Sequence, residues 1–272
     1  MRILHLETVD STNTYALHHF ADVADSVLVS AAEQTSGRGR LGRKWLAPPG
    51  RNITASFAMS RVQSGFHAGA IVGLASLDLV RETVPGTRPY FKWPNDIYIG
   101  DAKLAGILCE GLLDHGRLRG VVAGLGMNVN LSPGNIASID RKAVSLKMLA
   151  KGQEFSLPRL IERLAFFLEE WYIKYDCSRD SVLAEWRREN RLLGMTIEVV
   201  DPAGNVIEGR FSAIDDDGSM ILDTARGREL FRCGDVRIAR GFDPDKNIRP
   251  DGTPTPGRGF ATRGEEEGTG DE

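Results

Sequence analysis

Short strand-like runs recur along the first half of the chain, some of them apolar throughout and others, such as 52–60, alternating apolar and polar residues, and they predict β-strands. The runs lie at 3–9, 26–32, 52–60, 89–93, 103–110 and 117–130. Between the first two, Asp10 or Ser11 is a candidate N-cap for a helix that begins with "TNTYALHHF". Apolar residues at helical spacing predict a longer helix over 66–84. The pattern indicates a sheet with helices packed on it.

The pattern changes at Ser156, where apolar residues recur every three or four positions and predict a long helix. A second helix is expected at about 182–190, and Trp171 and Trp186 are predicted to pack in the core. From 194 onward, short strands separated by "DPAGN", "DDDGS" and "ARGR" predict a small β-barrel of SH3-like size. Few apolar residues follow Phe242, so the tail is predicted to be disordered. The predicted units are therefore 1–190, 191–241 and a tail at 242–272.

Composition places the chain among ordinary soluble proteins. Of its 272 residues, 42% are hydrophobic and 26% are charged, and the formal net charge is −3. The three cysteines are far apart in the sequence, which suits a reduced compartment better than a disulfide framework. Acidic residues near the N-terminus argue against a signal peptide, and no apolar run reaches the roughly 18 residues of a membrane span. We expect a soluble, cytoplasmic protein.

The segment "GRGRLGRKW" at 37–45 is the most unusual in the chain. Its glycines fit the G-x-G-x-x-G pattern of dinucleotide-binding turns, but that fingerprint must follow a strand directly and open a helix. Here "EQTS" separates the first glycine from the strand, and Pro48 and Pro49 prevent a regular helix afterwards. The dinucleotide interpretation is therefore rejected.

Two interpretations of the 37–45 loop remain open on these residues alone. Four cations crowd the loop and repel one another: Arg38, Arg40, Arg43 and Lys44. The loop is either a solvated basic segment, or a lid that is mobile when empty and becomes ordered when an anion neutralises it.

Three further segments carry polar residues at the ends of predicted strands. "KWPNDIY" at 92–98 brings Lys92, Asn95 and Asp96 to one turn, because Pro94 restricts its predecessor to extended geometry. Lys103 leads the apolar run "KLAGIL", where it is either a strand-edge charge or a functional cation. "GLGMNVN" at 124–130 adds Asn128 after two glycines.

Together, "DSTNTYA", "EQTSGRGRLGRKW", "KWPNDIY" with "KLAGIL", and "GLGMNVN" have the order and approximate spacing found in biotin–protein ligases. The resemblance covers nearly all of residues 5–240. It implies an α+β fold, with a mixed or antiparallel sheet in a class II synthetase-like catalytic domain and a small C-terminal SH3-like barrel. It implies coupling of biotin to ATP, with Mg²⁺, and transfer of biotin from biotinyl-5′-AMP to a lysine of a biotin carboxyl carrier protein.

The resemblance also implies roles for individual residues. The biotin end is assigned to Ser11, Thr12, Asn13, Gln34, Arg38, Gly39, Arg40 and Lys103, of which Lys103, Arg38 and Arg40 are the catalytic candidates. The ATP and adenylate end is assigned to Arg43, Trp45, Lys92, Asn95 and Asn128, with Asp96 as a candidate Mg²⁺ ligand. Ser11 as a plain N-cap and Trp45 as a core residue are alternative interpretations of the same positions.

Rival functions are weaker on the same residues. A lipoate or octanoyl ligase shares the fold but lacks the arginine-rich glycine loop and needs no polar partners such as Ser11 and Gln34. A nucleic-acid-binding module is disfavoured by the acidic net charge and by the lack of aromatic residues spaced along the loop.

The chain begins close to "DSTN", so we expect no DNA-binding domain and no DNA partner. The five histidines show no zinc spacing, and no partner for His67 is evident. The resemblance is also compatible with a homodimer.

Overall fold

The computed structural model describes residues 1–23, 27–136 and 142–237. Its larger sheet has seven strands in the order β1-β2-β3-β7-β6-β5-β4. Only β1 and β2 run parallel, and every other neighbouring pair is antiparallel. The strands are β1 (Arg2–Val9), β2 (Val27–Gln34), β3 (Asn52–Met59), β4 (Tyr90–Lys92), β5 (Asp96–Ile99), β6 (Ala102–Asp114) and β7 (Arg117–Asn128). The predicted α+β class with a mixed sheet is confirmed.

Helices cover both faces of this sheet. They are α1 (Thr12–His18), α2 (Phe20–Val23), α3 (Gly65–Thr83), α4 (Pro133–Ile136), α5 (Leu146–Leu149), α6 (Leu157–Cys177) and α7 (Arg179–Arg188). On β2, Leu28 belongs to the main core with α3 and α6, whereas its neighbours Val27 and Val29 pack with Ala16 of α1. Successive strand residues point to opposite faces, so one strand contributes to both apolar layers.

Of the two candidate caps for α1, the structure selects Ser11, whose hydroxyl accepts from Thr14 N at 3.5 Å. Asp10 instead accepts from the backbone N–H of Ser11 at 2.6 Å, outside the helix. The helix predicted at about 182–190 is α7, which begins at Arg179, three residues before the predicted start. Trp186 is almost fully buried in the core as predicted, while Trp171 is partly buried and donates from Nε1 to Asp78 at 2.7 Å.

A second, five-stranded sheet follows α7. Its strands are β8 (Thr196–Val200), β9 (Val206–Ile214), β10 (Met220–Thr224), β11 (Gly227–Phe231) and β12 (Asp235–Arg237). They pair antiparallel in the order β11-β10-β9-β8-β12, which is consistent with the predicted SH3-like barrel. Val199, Phe211 and Leu222 join the same buried cluster as the large sheet. The division at residue 190 stays a prediction, and the predicted tail at 242–272 lies outside the described residues.

No helix in the described part of the chain is long and apolar enough to cross a membrane.

His67 has a partner that the sequence did not reveal. It lies on α3, it is 5% exposed, and its Nδ1 is 2.8 Å from the hydroxyl of Tyr175 on α6. Burial lowers the pKa of His67 below its ordinary value; Arg179 and Arg187 act in the same direction, and Asp216 opposes them. The neutral imidazole is therefore the form that the fold accommodates.

We expect this histidine to make stability depend on pH. Because its pKa is lowered on folding, the unfolded chain binds the proton more readily, and stability is lost as pH falls below the unfolded value of about 6.5. The thermal midpoint should fall between pH 7.5 and pH 5.5, and the fall should be smaller in His67→Asn. The exposed His115→Asn is the control and should keep the native slope. An equally steep fall in His67→Asn would assign the effect to another group.

Candidate active site

A cavity of about 670 Å³ lies where α1, the end of β2, the 37–45 loop and strands β5 to β7 meet. Asp235 of the second sheet also lines it. Thirteen of the predicted site residues line this cavity: Ser11, Thr12, Asn13, Gln34, Arg38, Gly39, Arg40, Arg43, Trp45, Asn95, Asp96, Lys103 and Asn128. The fold therefore gathers segments from four separate parts of the sequence around one space.

A buried hydrogen-bond network organises the α1 end of the cavity. Gln34 Oε1 accepts from Thr12 twice, from the backbone N–H at 2.8 Å and from the hydroxyl at 3.0 Å. Ser56 Oγ lies 2.7 Å from Thr12 Oγ1 and donates to Asn13 Oδ1 at 2.6 Å. Sequence reasoning missed Ser56. The available signal was that Ser56 is a polar residue between apolar neighbours on a predicted strand.

The network determines which donors are left for a ligand. Asn13 Nδ2 uses its two protons on Leu108 O at 3.0 Å and on Glu110 Oε2 at 2.7 Å. The network uses only the oxygen of the Gln34 amide, and the nitrogen Nε2 has no acceptor among the described residues. The hydroxyl proton of Ser11 likewise has no acceptor in the part of the chain that the structure describes, and its oxygen acts as an acceptor in the cap. A ligand at this end therefore meets neutral donors.

The glycines of "GLG" on β7 allow two side chains to approach the strand. A Cβ on Gly124 would lie 2.2 Å from Asn13 Oδ1, and one on Gly126 would lie 2.3 Å from the Trp45 ring. Trp45 is half-buried, and its Nε1 is buried without a partner in the described part of the chain. Its ring lies under Lys103, whose Nζ is 5.7 Å from the ring centroid. Any larger residue at either glycine would move the cavity wall.

The 37–45 loop folds back on itself, with Gly39 N donating to Arg43 O at 2.7 Å and Trp45 N to Gly37 O at 3.0 Å. Leu41 at its tip is exposed and has a left-handed backbone, φ 57°. Such a conformation is unfavourable for a leucine.

Polar side chains hold each arginine of the loop. Arg38 donates to Thr14 Oγ1 at 3.1 Å, and Arg40 donates to Asn95 Oδ1 at 3.1 Å. Arg43 forms a two-pronged pair with Asp235, which raises the pKa of the arginine. Lys103 Nζ lies 2.6 Å from Asp96 Oδ1. Mutual repulsion among the cations is thus relieved by neighbouring acceptors, and the cavity combines a neutral end with a strongly cationic one.

Comparison with known proteins agrees with this arrangement. The profile of the Biotin/lipoate A/B protein ligase family matches residues 5–128, and that of the Biotin protein ligase C terminal domain matches residues 192–237. A biotin--[acetyl-CoA-carboxylase] ligase of Mycobacterium tuberculosis is 33% identical over 234 residues, covering 83% of this chain and 85% of its own. The ligase of the same description from Paracoccus denitrificans is 30% identical, covering 85% and 98%. The chain belongs to the biotin protein ligase family.

Solved structures support the fold of this ligase. The biotin protein ligase of Aquifex aeolicus in complex with biotin and ATP superposes with a TM-score of 0.72, at 23% identity, over 88% of this chain and 99% of its own. The Leishmania major enzyme in complex with biotinyl-5-AMP superposes with a TM-score of 0.57, at 24% identity, over 85% and 99%.

One predicted site residue of this ligase does not line the cavity. Lys92 is 6% exposed on β4, with its Nζ 4.9 Å from the ring centroid of Tyr98. Its neighbours Phe91 and Trp93 are in the main core, and alternation along the strand places Lys92 on the other face. A contact between Lys92 and the phosphates stays a prediction.

The described residues of the ligase do not form a metal centre of their own. They contain no group of three His, Cys, Asp or Glu side chains placed to hold a metal ion. Asp96 is a single carboxylate, and its Oδ1 is already occupied by Lys103. Mg²⁺ in nucleotide sites is bound through one or two carboxylates together with substrate phosphates, so Asp96 as an Mg²⁺ ligand stays a prediction.

Proposed function

We propose that the protein joins biotin to a lysine of a biotin carboxyl carrier protein at the expense of ATP, through biotinyl-5′-AMP. The observation that carries the proposal is that neutral donors line one end of the cavity and cations line the other. Neutral donors at Ser11 and Gln34 suit an uncharged ureido ring, and the cations at the other end suit a carboxylate beside phosphates. The carrier is that of an acetyl-CoA carboxylase, as in the names of the relatives.

In the first step, a carboxylate oxygen of biotin forms a bond to the α-phosphorus of ATP, and the bond to pyrophosphate breaks. Two anions must approach each other, so the protein must supply positive charge rather than a nucleophile. Lys103 and Arg40 line the cavity and are proposed to supply this positive charge. Lys103 stabilises charge that develops in the transition state, and Arg40 holds the phosphate and the biotin carboxylate.

In the second step, the neutral amine of the carrier lysine attacks the carbonyl of the adenylate. A C–N bond forms, the C–O bond to AMP breaks, and the amine loses a proton. The adenylate is a mixed anhydride that water hydrolyses, so it must be shielded until the carrier arrives. The 37–45 loop is proposed to provide that shield by closing over the bound intermediate.

Replacement of Gly126 by alanine should weaken ATP binding. The added Cβ would overlap the Trp45 ring, which we propose supports the adenosine, and overpacking of this kind costs about 1–3 kcal/mol. We expect the KM for ATP to rise about tenfold, with little change in the KM for biotin. Gly134→Ala is the control, because the nearest described atom would be 3.8 Å away. Steady-state kinetics with each substrate varied in turn would measure both values; equal rises in the two would refute the assignment of Trp45.

The proposed function is tested by pyrophosphate release in the presence of ATP and either biotin or lipoate. Release that depends on biotin, followed by labelling of a carrier domain, supports it. Release with lipoate instead would indicate the related acyl ligase, and salt-sensitive nucleic-acid binding without turnover would indicate a binding module.

Mg²⁺ is proposed to enter with ATP, and the protein is proposed to act in the cytoplasm. A homodimer is a further expectation, which analytical ultracentrifugation would test.

A further inference from the structure

Glu110 stands behind the cavity wall and connects two parts of the site. It lies on β6 opposite Val122 of β7, and its side chain is 30% exposed. One carboxylate oxygen, Oε2, accepts from Asn13 Nδ2 at 2.7 Å. The other, Oε1, lies 3.5 Å from Arg38 Nη2. The same carboxylate thus contacts the biotin end of the cavity and the stem of the 37–45 loop.

At the biotin end, Glu110 fixes the orientation of the Asn13 amide. An ionised carboxylate only accepts hydrogen bonds, so the amide must present its nitrogen to Glu110 and its oxygen to Ser56. Ser56 in turn contacts Thr12, and Thr12 donates to Gln34 Oε1. The backbone N–H of Thr12 also donates to Gln34 Oε1 and by itself leaves the nitrogen of Gln34 as the donor available to a ligand. A flipped Asn13 would place its amide oxygen against two other acceptors, Glu110 Oε2 and Leu108 O.

At the loop, Glu110 holds the first arginine. Arg38 donates to Thr14 Oγ1 of α1 and lies beside Glu110 of β6, so its guanidinium links the loop stem to two rigid elements. A loop fixed at its stem has fewer conformations to lose when it closes over a ligand.

We propose that Glu110 is a positioning residue for biotin ligation: Oε2 fixes the Asn13 amide at the biotin end, and Oε1 anchors the loop that retains the adenylate. This inference rests on the proposed function. Glu110 does not line the cavity, and it acts on the substrates through Asn13 and Arg38.

Two substitutions separate the two roles. Glu110→Gln keeps an oxygen that can accept from Asn13, but it places a neutral amide nitrogen beside Arg38. Glu110→Ala removes both contacts. The control is Glu82→Gln, because Glu82 forms a two-pronged pair with Arg163 at 2.8 and 2.7 Å away from the cavity. The measurements are the Kd for biotin by calorimetry, the rate of biotinyl-5′-AMP release in a chase, and the thermal midpoint.

We expect Glu110→Gln to bind biotin within about twofold of the native protein and to release the adenylate about two- to fivefold faster, the scale of an exposed ion pair. Glu110→Ala should release the adenylate equally fast and bind biotin about tenfold more weakly, because a buried amide loses its acceptor. Glu82→Gln should match the native protein in both measurements. A merely structural role would lower the thermal midpoint of Glu110→Ala without the difference between the two variants.

Native biotin affinity in Glu110→Ala would overturn the role at Asn13. Equal losses of biotin affinity in both variants would overturn it as well, because charge rather than acceptor geometry would then be responsible. Unchanged release of the adenylate in both variants would overturn the role at Arg38. Failure of the proposed function gives a different result, since the native protein itself would then show no biotin-dependent pyrophosphate release.

Discussion

Replacement of Lys103 by methionine is expected to slow biotin-dependent pyrophosphate release by about 100- to 1,000-fold, the scale for removing one donor aimed at developing charge. Lys103 Nζ lies in the cavity between Asp96, at 2.6 Å, and the Trp45 ring. It is thus held in place before the substrates arrive. Because its charge is needed most in the transition state, the loss should fall on kcat and less on the KM for biotin. Rapid-quench measurement of adenylate formation would give the rate of this step directly.

Two variants control for indirect effects of this substitution. Lys142→Met removes an exposed lysine that pairs with Asp101 beside the same strand, and it should be active. The double variant Lys103→Met with Asp96→Asn removes the carboxylate that the single variant leaves unpaired. If the double variant regained native activity, the defect would belong to the unpaired Asp96, and the assignment of Lys103 would be wrong.

Much of the fold follows from local patterns in the sequence. Six of the seven strands of the large sheet have strand-like apolar runs bounded by turn residues, so their positions could be predicted within a few residues, whereas β5 was not among the predicted strands. The order of the strands could not, because β7 pairs with β3 across a long stretch of intervening chain. The cap of α1 also needed the structure, since Asp10 and Ser11 are equally good caps by residue type.

The candidate site was predictable where it consists of contiguous motifs and not where it consists of distant pairs. The 37–45 loop, the polar turn after β4 and the "GLG" of β7 were identified in the sequence, and all three contribute to the cavity wall. The partners that hold those segments were missed. Glu110 is 97 residues from Asn13, and Asp235 is 192 residues from Arg43. No spacing rule connects such positions, because each pair joins different elements that meet only in the folded structure.

Replacement of Arg40 by glycine is expected to let the activated intermediate escape. Arg40 Nη1 donates to Asn95 Oδ1 at 3.1 Å, so its guanidinium lies across the cavity from the loop to the turn before β5. A charge-assisted hydrogen bond to a phosphate contributes about 1.5–3 kcal/mol, so the adenylate should leave about 10- to 100-fold faster. A chase with unlabelled biotin measures that rate. Biotin should also appear on lysines of an added bystander protein, because released biotinyl-5′-AMP acylates any accessible amine.

Glycine at position 40 would also free the backbone of the loop, so charge and flexibility must be separated. Arg40→Gln keeps the backbone restricted and removes only the cation, and Arg51→Gly removes an exposed arginine that pairs with Glu154 outside the loop. If the cation retains the adenylate, Arg40→Gln should release it nearly as fast as Arg40→Gly. If stiffness retains it, Arg40→Gln should resemble the native protein. Retention as long as in the native protein by Arg40→Gly itself would remove the basis for a loop that shields the intermediate, because closing over an anion requires a group on the loop that the anion attracts.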